Sequence, residues 1–489
     1  MGKYMAVGDD PRFELLTAWA DAQAVIVRLE RRVAELEAEN ARLKRELEEA
    51  ERAGKRQAAP FAKGTPKSHP KRPGRKAGHP RAFRPAPAPT SIDAVLEAPL
   101  PAACPRCGGA VVAERVAVQY QVDIPPVRPV TTQFNIQVGH CADCGGHLQG
   151  RHPHQNSDAL GAANVVLGPR ALELAAEAKH ALGVPYAKIT RFFHSAFGLN
   201  ACRAAFARAD QRLAKLHLPV YGQLLLALRR QPVVQVDDTG WRIGGRTAWL
   251  WVFTTPALSA YVTAYSRGAD VPTNVLGPDF PGWVVADGAR LYTHLFAHQQ
   301  KCLWHLRRNA QKVADLPHRH GAAAVFAQQV LALLRSALRL AQRFSAGQLS
   351  PRGFSSARGQ LEHRCDRLLA RRLSNPDNLR LAKHLHTHRQ ALFPFLYHPN
   401  VPPTNARAEQ EIRPAVVIRK TTACNRAETG AHAHDVLASL SRTCTKQGQS
   451  FVDFTRQRLL APHAPWSQWL ERLLFPSPAL APPRPATPT

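Results

Sequence analysis

The chain has no run of about 18 consecutive apolar residues, so it offers no obvious membrane-spanning helix. Its first stretch, MGKYMAVGDDPRFELL, lacks an apolar core and carries acids early, which predicts no secretory leader. Acids are scarce overall: 36 Asp and Glu stand against 65 Lys and Arg in 489 residues, a formal net charge of +29. An excess of that size points to a polyanionic partner, nucleic acid above all. An arginine-rich coding bias would also raise the charge, but the cations are clustered. Nine cysteines are present, four of them in CxxC pairs, which fits metal binding in a reducing compartment better than disulfides. The expected location is the cytoplasm, in association with the nucleoid. The length allows two to four domains with at least one sizeable core.

The chain is organised around the stretch QPVVQVDDTGWRIGGRTAWLWVFTT, residues 231–255. It reads as a buried strand, an acidic pair (Asp237, Asp238), a glycine turn and a second strand rich in β-formers. The segment GWVVADGARLY repeats the design around Asp287, and NARAEQEIRP offers Glu409 on a short helical stretch. Two Asp on adjacent strands with a Glu on a helix can hold two divalent ions for phosphodiester chemistry.

Residues 13–52 carry a heptad, with Ile26, Val33, Asn40 and Leu47 at a and Ala22, Leu29, Leu36, Leu43 and Ala50 at d. That pattern predicts a parallel dimeric coiled coil; the alternative is one amphipathic helix packed on its own chain. Residues 53–91 are a basic linker containing Lys71, Arg72, Arg75 and Lys76, with almost no acids. The linker is expected to be disordered alone and to follow DNA phosphates or the minor groove; the bland reading is a solubilising spacer. Residues 92–150 hold Cys104, Cys107, Cys141 and Cys144 in two CxxCGG knuckles separated by 33 residues. Four thiolates at about 2.3 Å suit a structural Zn²⁺, and the alternating sequence between the knuckles predicts the hairpin of a zinc ribbon.

Residues 159–230 are expected to be helical and to bind DNA. The break at Phe197, Gly198 and Leu199 allows a helix-turn-helix whose second helix carries Arg203 and Arg208; a plain bundle fits equally well. A catalytic domain is expected over 231–456, with strands at 233–237, 248–254, 260–265 and 283–287. Between Asp287 and Glu409 lie 121 residues, and 310–395 reads as an all-helical insertion. Residues 476–489 form a Pro-rich tail, expected to be disordered. The fold class is therefore multidomain α+β/α/β.

Adjacent strand residues point to opposite faces, so only one of Asp237 and Asp238 can readily share a metal with Asp287. Asp237 is favoured and Asp238 is the rival. Asp287 could instead simply cap its glycine turn. Glu409 and Glu411 are separated by about 200° of helical rotation, and spacing alone does not choose between them. Cys302 and His305 form an isolated CxxH, more often internal packing than a metal site. Arg413, Arg419 and Lys420 follow Glu409 and could hold DNA phosphates, or form a solvated basic face.

Over residues 20–460 the chain resembles transposases of the insertion-sequence 66 family. The zipper, basic linker, CPRCGG and CADCGG knuckles, DDT followed by WLWVFTT, VVADGARLY, CLWHLRR and TNARAEQEIRPAVVIRK occur in the family's order. The resemblance implies an RNase H-like catalytic domain in which Asp237, Asp287 and Glu409 hold two Mg²⁺ (or Mn²⁺). It implies cleavage at terminal inverted repeats, joining to target DNA, and accessory proteins from the same element. Thr404, Asn405 and Ala406 stand where the family usually has DNN, and Gln410 replaces an Arg after the Glu. Those departures bear on support around the site or on DNA contacts. The alternative from another class is a non-catalytic or domesticated DNA-binding protein that kept the zipper and zinc module. Retention of all three acids argues against it. A nuclease without strand transfer is a third reading.

Overall fold

The computed structural model describes residues 11–53, 86–160, 166–292, 295–315 and 322–461. Pro11–Ala53 (α1) is one continuous helix. Its a and d side chains Ile26, Leu29, Val33, Leu36, Leu43 and Leu47 are all exposed on the single chain. Lys71, Arg72, Arg75, Lys76 and the 476–489 tail lie outside the described residues.

The cysteine module departs from the expected ribbon. No strand forms between residues 92 and 137, and Val116, Val118, Val122, Ile124 and Val130 stay exposed. Only Val138–His140 (β1) and His147–Gln149 (β2) pair, antiparallel, across the second knuckle. The physical reason is that a two-stranded ribbon needs a third strand or a packed layer to hold its pleat.

Next come Pro169–Ala176 (α2), a π-helical turn over Glu177–Ala181, Tyr186–Phe197 (α3) and Arg203–Leu228 (α4). The expected break at Gly198 is present, with φ of 67° closing α3. However, α4 is 26 residues long and is not a short second helix. Its N-terminal half exposes Arg203 and Arg208, while Leu224 and Leu228 near its end are buried against the sheet. The helical region thus runs into the core of the sheet without a gap at residue 230.

Val233–Ile243 (β3), Arg246–Thr254 (β4) and Ser259–Ala264 (β5) are antiparallel neighbours. Gly244 and Gly245, at φ 57° and 86°, make the β3–β4 turn, where two successive positive φ angles favour glycine. Asp270–Leu276 (α5) leads to Trp283–Ala286 (β6), parallel to β3, and Gln299–Lys301 (β7), parallel to β6. The sheet order is β5-β4-β3-β6-β7. The sequence pattern points to four of these strands; β7 is only three residues long.

Leu303–Ala314 (α6), Ala322–Ser345 (α7), Pro351–Leu369 (α8) and Pro376–Thr387 (α9) form the helical insertion. Ala406–Thr422 (α10), Glu428–Lys446 (α11) and Phe451–Leu460 (α12) return to the sheet. Period-2 alternation divides the sheet residues between two cores. Val234, Val236, Trp251 and Phe253 pack with Leu224, Leu228 and Val271 on one side. Trp241, Leu250 and Val252 pack with Ala408, Ile412 and Ala438 on the other. The insertion has its own core, joined to the sheet through Val285. Within it, Ala324–Ser345 is apolar and long enough to span a membrane by composition, but half of its most apolar part is buried inside the protein.

The exposed edge of β5 is closed by α11. Ser259, Tyr261 and Thr263 donate their N–H groups to Thr443 Oγ1, Ser439 Oγ and Asp435 Oδ2, at 3.1, 2.8 and 2.9 Å. Outward N–H groups recur every ~6.6 Å along a strand, and side chains at i and i+4 every ~6 Å along a helix. The near match lets one helical stripe satisfy a strand edge that would otherwise invite another chain.

Candidate active site

The β3–β6 register brings the two aspartates side by side. Gln235 pairs with Val285, and Asp237 and Asp287 each lie two residues further on. Adjacent strands run ~4.8 Å apart, so Asp237, in the middle of β3, lies with the same parity beside Asp287, just past the end of β6. Strand β3 runs on to Ile243, whereas the sequence predicts its end at residue 237. On β4, Asp237 faces Val252 and Asp238 faces Trp251. Those two partners belong to opposite cores, so the acidic pair is split between the faces. Asp237 shares the face covered by α10. On the other side, Asp238 accepts from Arg267 Nε at 2.9 Å, and that guanidinium lies 4.5 Å over the Trp249 ring. The rival carboxylate is thus already paired.

Helix α10 is pinned to β3 on both sides of Asp237. Asn405 Nδ2 donates to Val236 O at 2.7 Å, and the Arg407 N–H donates to Gln235 Oε1 at 3.1 Å. Further along, Arg419 Nη1 donates to Thr239 Oγ1 and Gly240 O at 2.8 and 2.6 Å. Arg419, expected to hold DNA, is committed to this clamp instead. Arg413 and Lys420 are exposed. The clamp places Glu409 in the first turn of α10, facing the aspartates. Glu411 turns away into the protein, 4% exposed. Arg442 donates to both its oxygens at 2.9 and 3.2 Å, and Lys446 lies 3.5 Å away. Burial works against its charge, but Arg442 and Lys446 together hold its carboxyl below the usual range.

The electrostatics single out Asp237. Burial first, and then the carboxylates of Asp238, Asp287 and Glu409, push it up to about 7, against a bond from the Asp238 N–H. Asp287 accepts from the Ala289 N–H at 2.9 Å through Oδ1, so it caps its turn while keeping the second oxygen. Behind it sits Lys301, 2% exposed, whose Nζ has no hydrogen-bond partner among the described residues. Burial brings its ammonium down to about 8, opposed by Asp287. The donor set of Asp237, Asp287 and Glu409 is all oxygen, and their mutual repulsion suits hard divalent cations.

His305 reaches the same place, with Nδ1 3.5 Å from Glu409 Oε1. Cys302, His305 and Glu409 bring ligand atoms within 4.8 Å of one another. The packing expectation for this CxxH holds for Cys302, which is fully buried and accepts from the Asn405 N–H at 3.1 Å. Burial raises that thiol, so it keeps its proton. For His305 the packing expectation misses the contact with Glu409. The i, i+3 spacing is the available signal, but it does not say which of the two faces a carboxylate. Lys301 carries no signal in the sequence, because its significance is purely positional.

Each cysteine knuckle is a preformed turn. The Gly108 and Gly145 N–H groups donate to Cys104 O and Cys141 O at 2.8 and 2.9 Å. The Arg106 and Cys107 N–H groups lower the Cys104 thiol, and those of Cys144 and Asp143 lower the Cys141 thiol. Low thiols suit metal ligation. The two pairs, however, are not gathered into one cluster among the described residues.

Residues 164–433, more than half of the chain, match the model of the transposase IS66 family. An uncharacterised protein of Sinorhizobium fredii (strain NBRC 101917 / NGR234), y4qI, is 26% identical over 237 residues, 43% of this chain and 43% of that protein. The chain thus spans less than half the length of that relative. The matched region contains the whole five-stranded sheet, its acids, the helical insertion and α10, and on that match the chain belongs to the IS66 family of transposases.

Proposed function

We propose that this chain is a DNA transposase that cuts at the terminal inverted repeats of its element and joins the freed 3′-OH to target DNA. The observation that carries the reading is the convergence of Asp237, Asp287 and Glu409 on one face of the sheet, with Asp237 pushed up to about 7 by burial and its acidic neighbours. A mixed sheet with one acid within its central strand, a second just past the end of the neighbouring strand and the third on a covering helix supports an RNase H-like catalytic domain. In this reading Asp237, Asp287 and Glu409 would together hold two Mg²⁺ (or Mn²⁺) ions. Bound ions would supply an activated attacking oxygen and stabilise the departing one.

The protein's residues bind and orient the substrate. Asn405, Gln235 and Arg419 fix α10 so that Glu409 meets the aspartates, and His305 orients the Glu409 carboxylate. Exposed Arg203, Arg208, Arg413 and Lys420 hold phosphates. Water attacks phosphorus at the element end and the 3′-oxygen leaves with a proton. The resulting 3′-OH then attacks a target phosphodiester and displaces its 3′-oxygen. One bond forms for each one broken, so neither a covalent enzyme intermediate nor an energy source is required. We extend the reading to the N-terminal segments: Cys104, Cys107, Cys141 and Cys144 close around a structural Zn²⁺ when it binds. The exposed α1 seam pairs with a second copy, and Lys71, Arg72, Arg75 and Lys76 track DNA.

A strand-transfer assay with the full chain and labelled DNA carrying the element's own ends tests this. Joined products are expected in Mg²⁺ with the wild type, and none in EDTA or with Asp287→Asn. End binding without cleavage, even with the element's accessory proteins added, would establish a DNA-binding protein instead.

A further inference from the structure

Helix α6 carries two stripes. Leu303, Leu306 and Ala310 are buried in the core of the insertion. Trp304, Arg307, Arg308, Gln311, Lys312 and Asp315 recur at i, i+3, i+4, i+7, i+8 and i+11, the spacing of a single helical face, and that face lines an open groove of about 610 Å³. The opposite wall comes from α10 through Ala406, Glu409 and Arg413, themselves three and four residues apart. The groove thus runs directly onto Glu409. Four cations line it against two acids, and Asp315 already accepts from Gln311 Nε2 at 2.7 Å.

Trp304 is the unusual member. A tryptophan in the first turn of a helix that packs on a core would ordinarily be largely buried, yet this one is 52% exposed. Arg307 lies 4.9 Å over its ring, and the rest of the indole faces the groove and solvent. A flat aromatic surface among guanidinium groups is the combination that binds single-stranded nucleic acid: bases stack on the ring and phosphates meet the cations. A protein partner would be less well served, since the groove offers one aromatic ring and no surrounding apolar patch.

We propose that Trp304 is a stacking platform for an unpaired base of the DNA strand led to Glu409, with Arg307, Arg308, Lys312 and Arg413 holding its phosphates. This rests on the active-site reading above and deepens it by naming a substrate contact. Trp304 holds a base next to the point of cleavage, which requires local opening of the duplex end. Its removal costs positioning and leaves the acids untouched.

The test uses the full-length protein and two single-stranded probes of equal length and charge, a fluorescein-labelled dT decamer and the same oligomer with abasic sites. Wild type is expected to bind the dT probe roughly tenfold or more tightly than the abasic one, from base stacking. Trp304→Ala is expected to erase that difference, and Trp304→Phe to keep most of it. Arg308→Gln is expected to weaken both probes alike and to flatten the salt dependence. Equal affinity of wild type for the two probes, or an unchanged preference in Trp304→Ala, would overturn the proposal. So would a Trp304→Ala protein altered only in oligomeric state. If the probe preference behaves as expected but strand transfer fails under every condition, the transposase reading falls and the platform stands. If strand transfer proceeds and Trp304→Ala changes neither binding nor transfer, the platform alone falls.

Discussion

The sheet and the cysteine module both carry dense sequence motifs, but the fold treats them differently. Around β3, residues 172 positions apart meet through a specific bond, the Arg407 N–H on Gln235, and packing together with such bonds brings the acids together. In the module, each CxxC turn is formed locally while the two turns remain apart and the intervening apolar residues are exposed. The difference lies in what surrounds each motif. Asp237 lies within a strand buried on both faces and Asp287 just past the end of its neighbour, so packing positions them. The knuckles have no core to draw them together, and a bound metal would supply the folding free energy that burial cannot. The sheet site is held by long-range contacts, and the module by local turns.

The largest expected effect lies on the packed side. Asp237→Asn, Asp287→Asn and Glu409→Gln should each lower strand transfer by about 10³-fold or more while leaving end binding intact, since each removes charge that orients the reaction. Glu411→Gln should behave otherwise, because it strands Arg442 and Lys446 in a buried site. A loss of about 3 kcal/mol of stability is expected, read as a lower melting temperature, with activity falling only in step with folded protein. Full activity in Glu409→Gln together with selective loss in Glu411→Gln would reverse the assignment.

On the module side, metal analysis should find about one Zn per chain, from four thiolates. Strong chelation should expose residues 92–150 to proteolysis while the sheet stays resistant. Folded protein without zinc, or a module indifferent to chelation, would remove the contrast between the two regions.

The subtlest effect concerns pH. The Asp237 carboxyl is raised to about 7 in the folded chain, above its ordinary value of about 3.9. A raised carboxyl contributes stability fully below the unfolded pKa and loses it as pH climbs through the folded one. Without divalent ions, Asp237→Asn should therefore match wild type at pH 4 and exceed it at pH 8 by ~1–3 kcal/mol. Adding Mg²⁺ should close the gap. A constant difference across that range would show that neither burial nor the neighbouring carboxylates raise Asp237.

Much of the core is legible from periodicity alone. Val234 and Val236, alternating with Gln235 and Asp237, predict a strand with two unlike faces, and the Gly244–Gly245 pair predicts the turn. The helical patterns of α7 and α8 likewise announce the insertion. The module misleads, because alternation around Val116–Ile124 predicts strands only where a layer exists to pack against. The role of α4 is also hidden: its N-terminal arginines suggest a short DNA-reading helix, but its length and the burial of Leu224 and Leu228 make it a support for the sheet.

By itself the sequence determined the order of segments, the basic charge, the paired knuckles and the presence of acids on apolar strands, because these follow from composition and local period. The sequence favoured Asp237, and the family resemblance Glu409, but only the tertiary structure shows what the rival of each does: Asp238 pairs with Arg267, and Glu411 is buried on Arg442. Asp237 and Asp238 were separated by strand register, and Glu409 and Glu411 by the rotation of a helix whose clamp to β3 comes from residues far away in sequence. Register and helix rotation are set by long-range packing, and no local pattern encodes them.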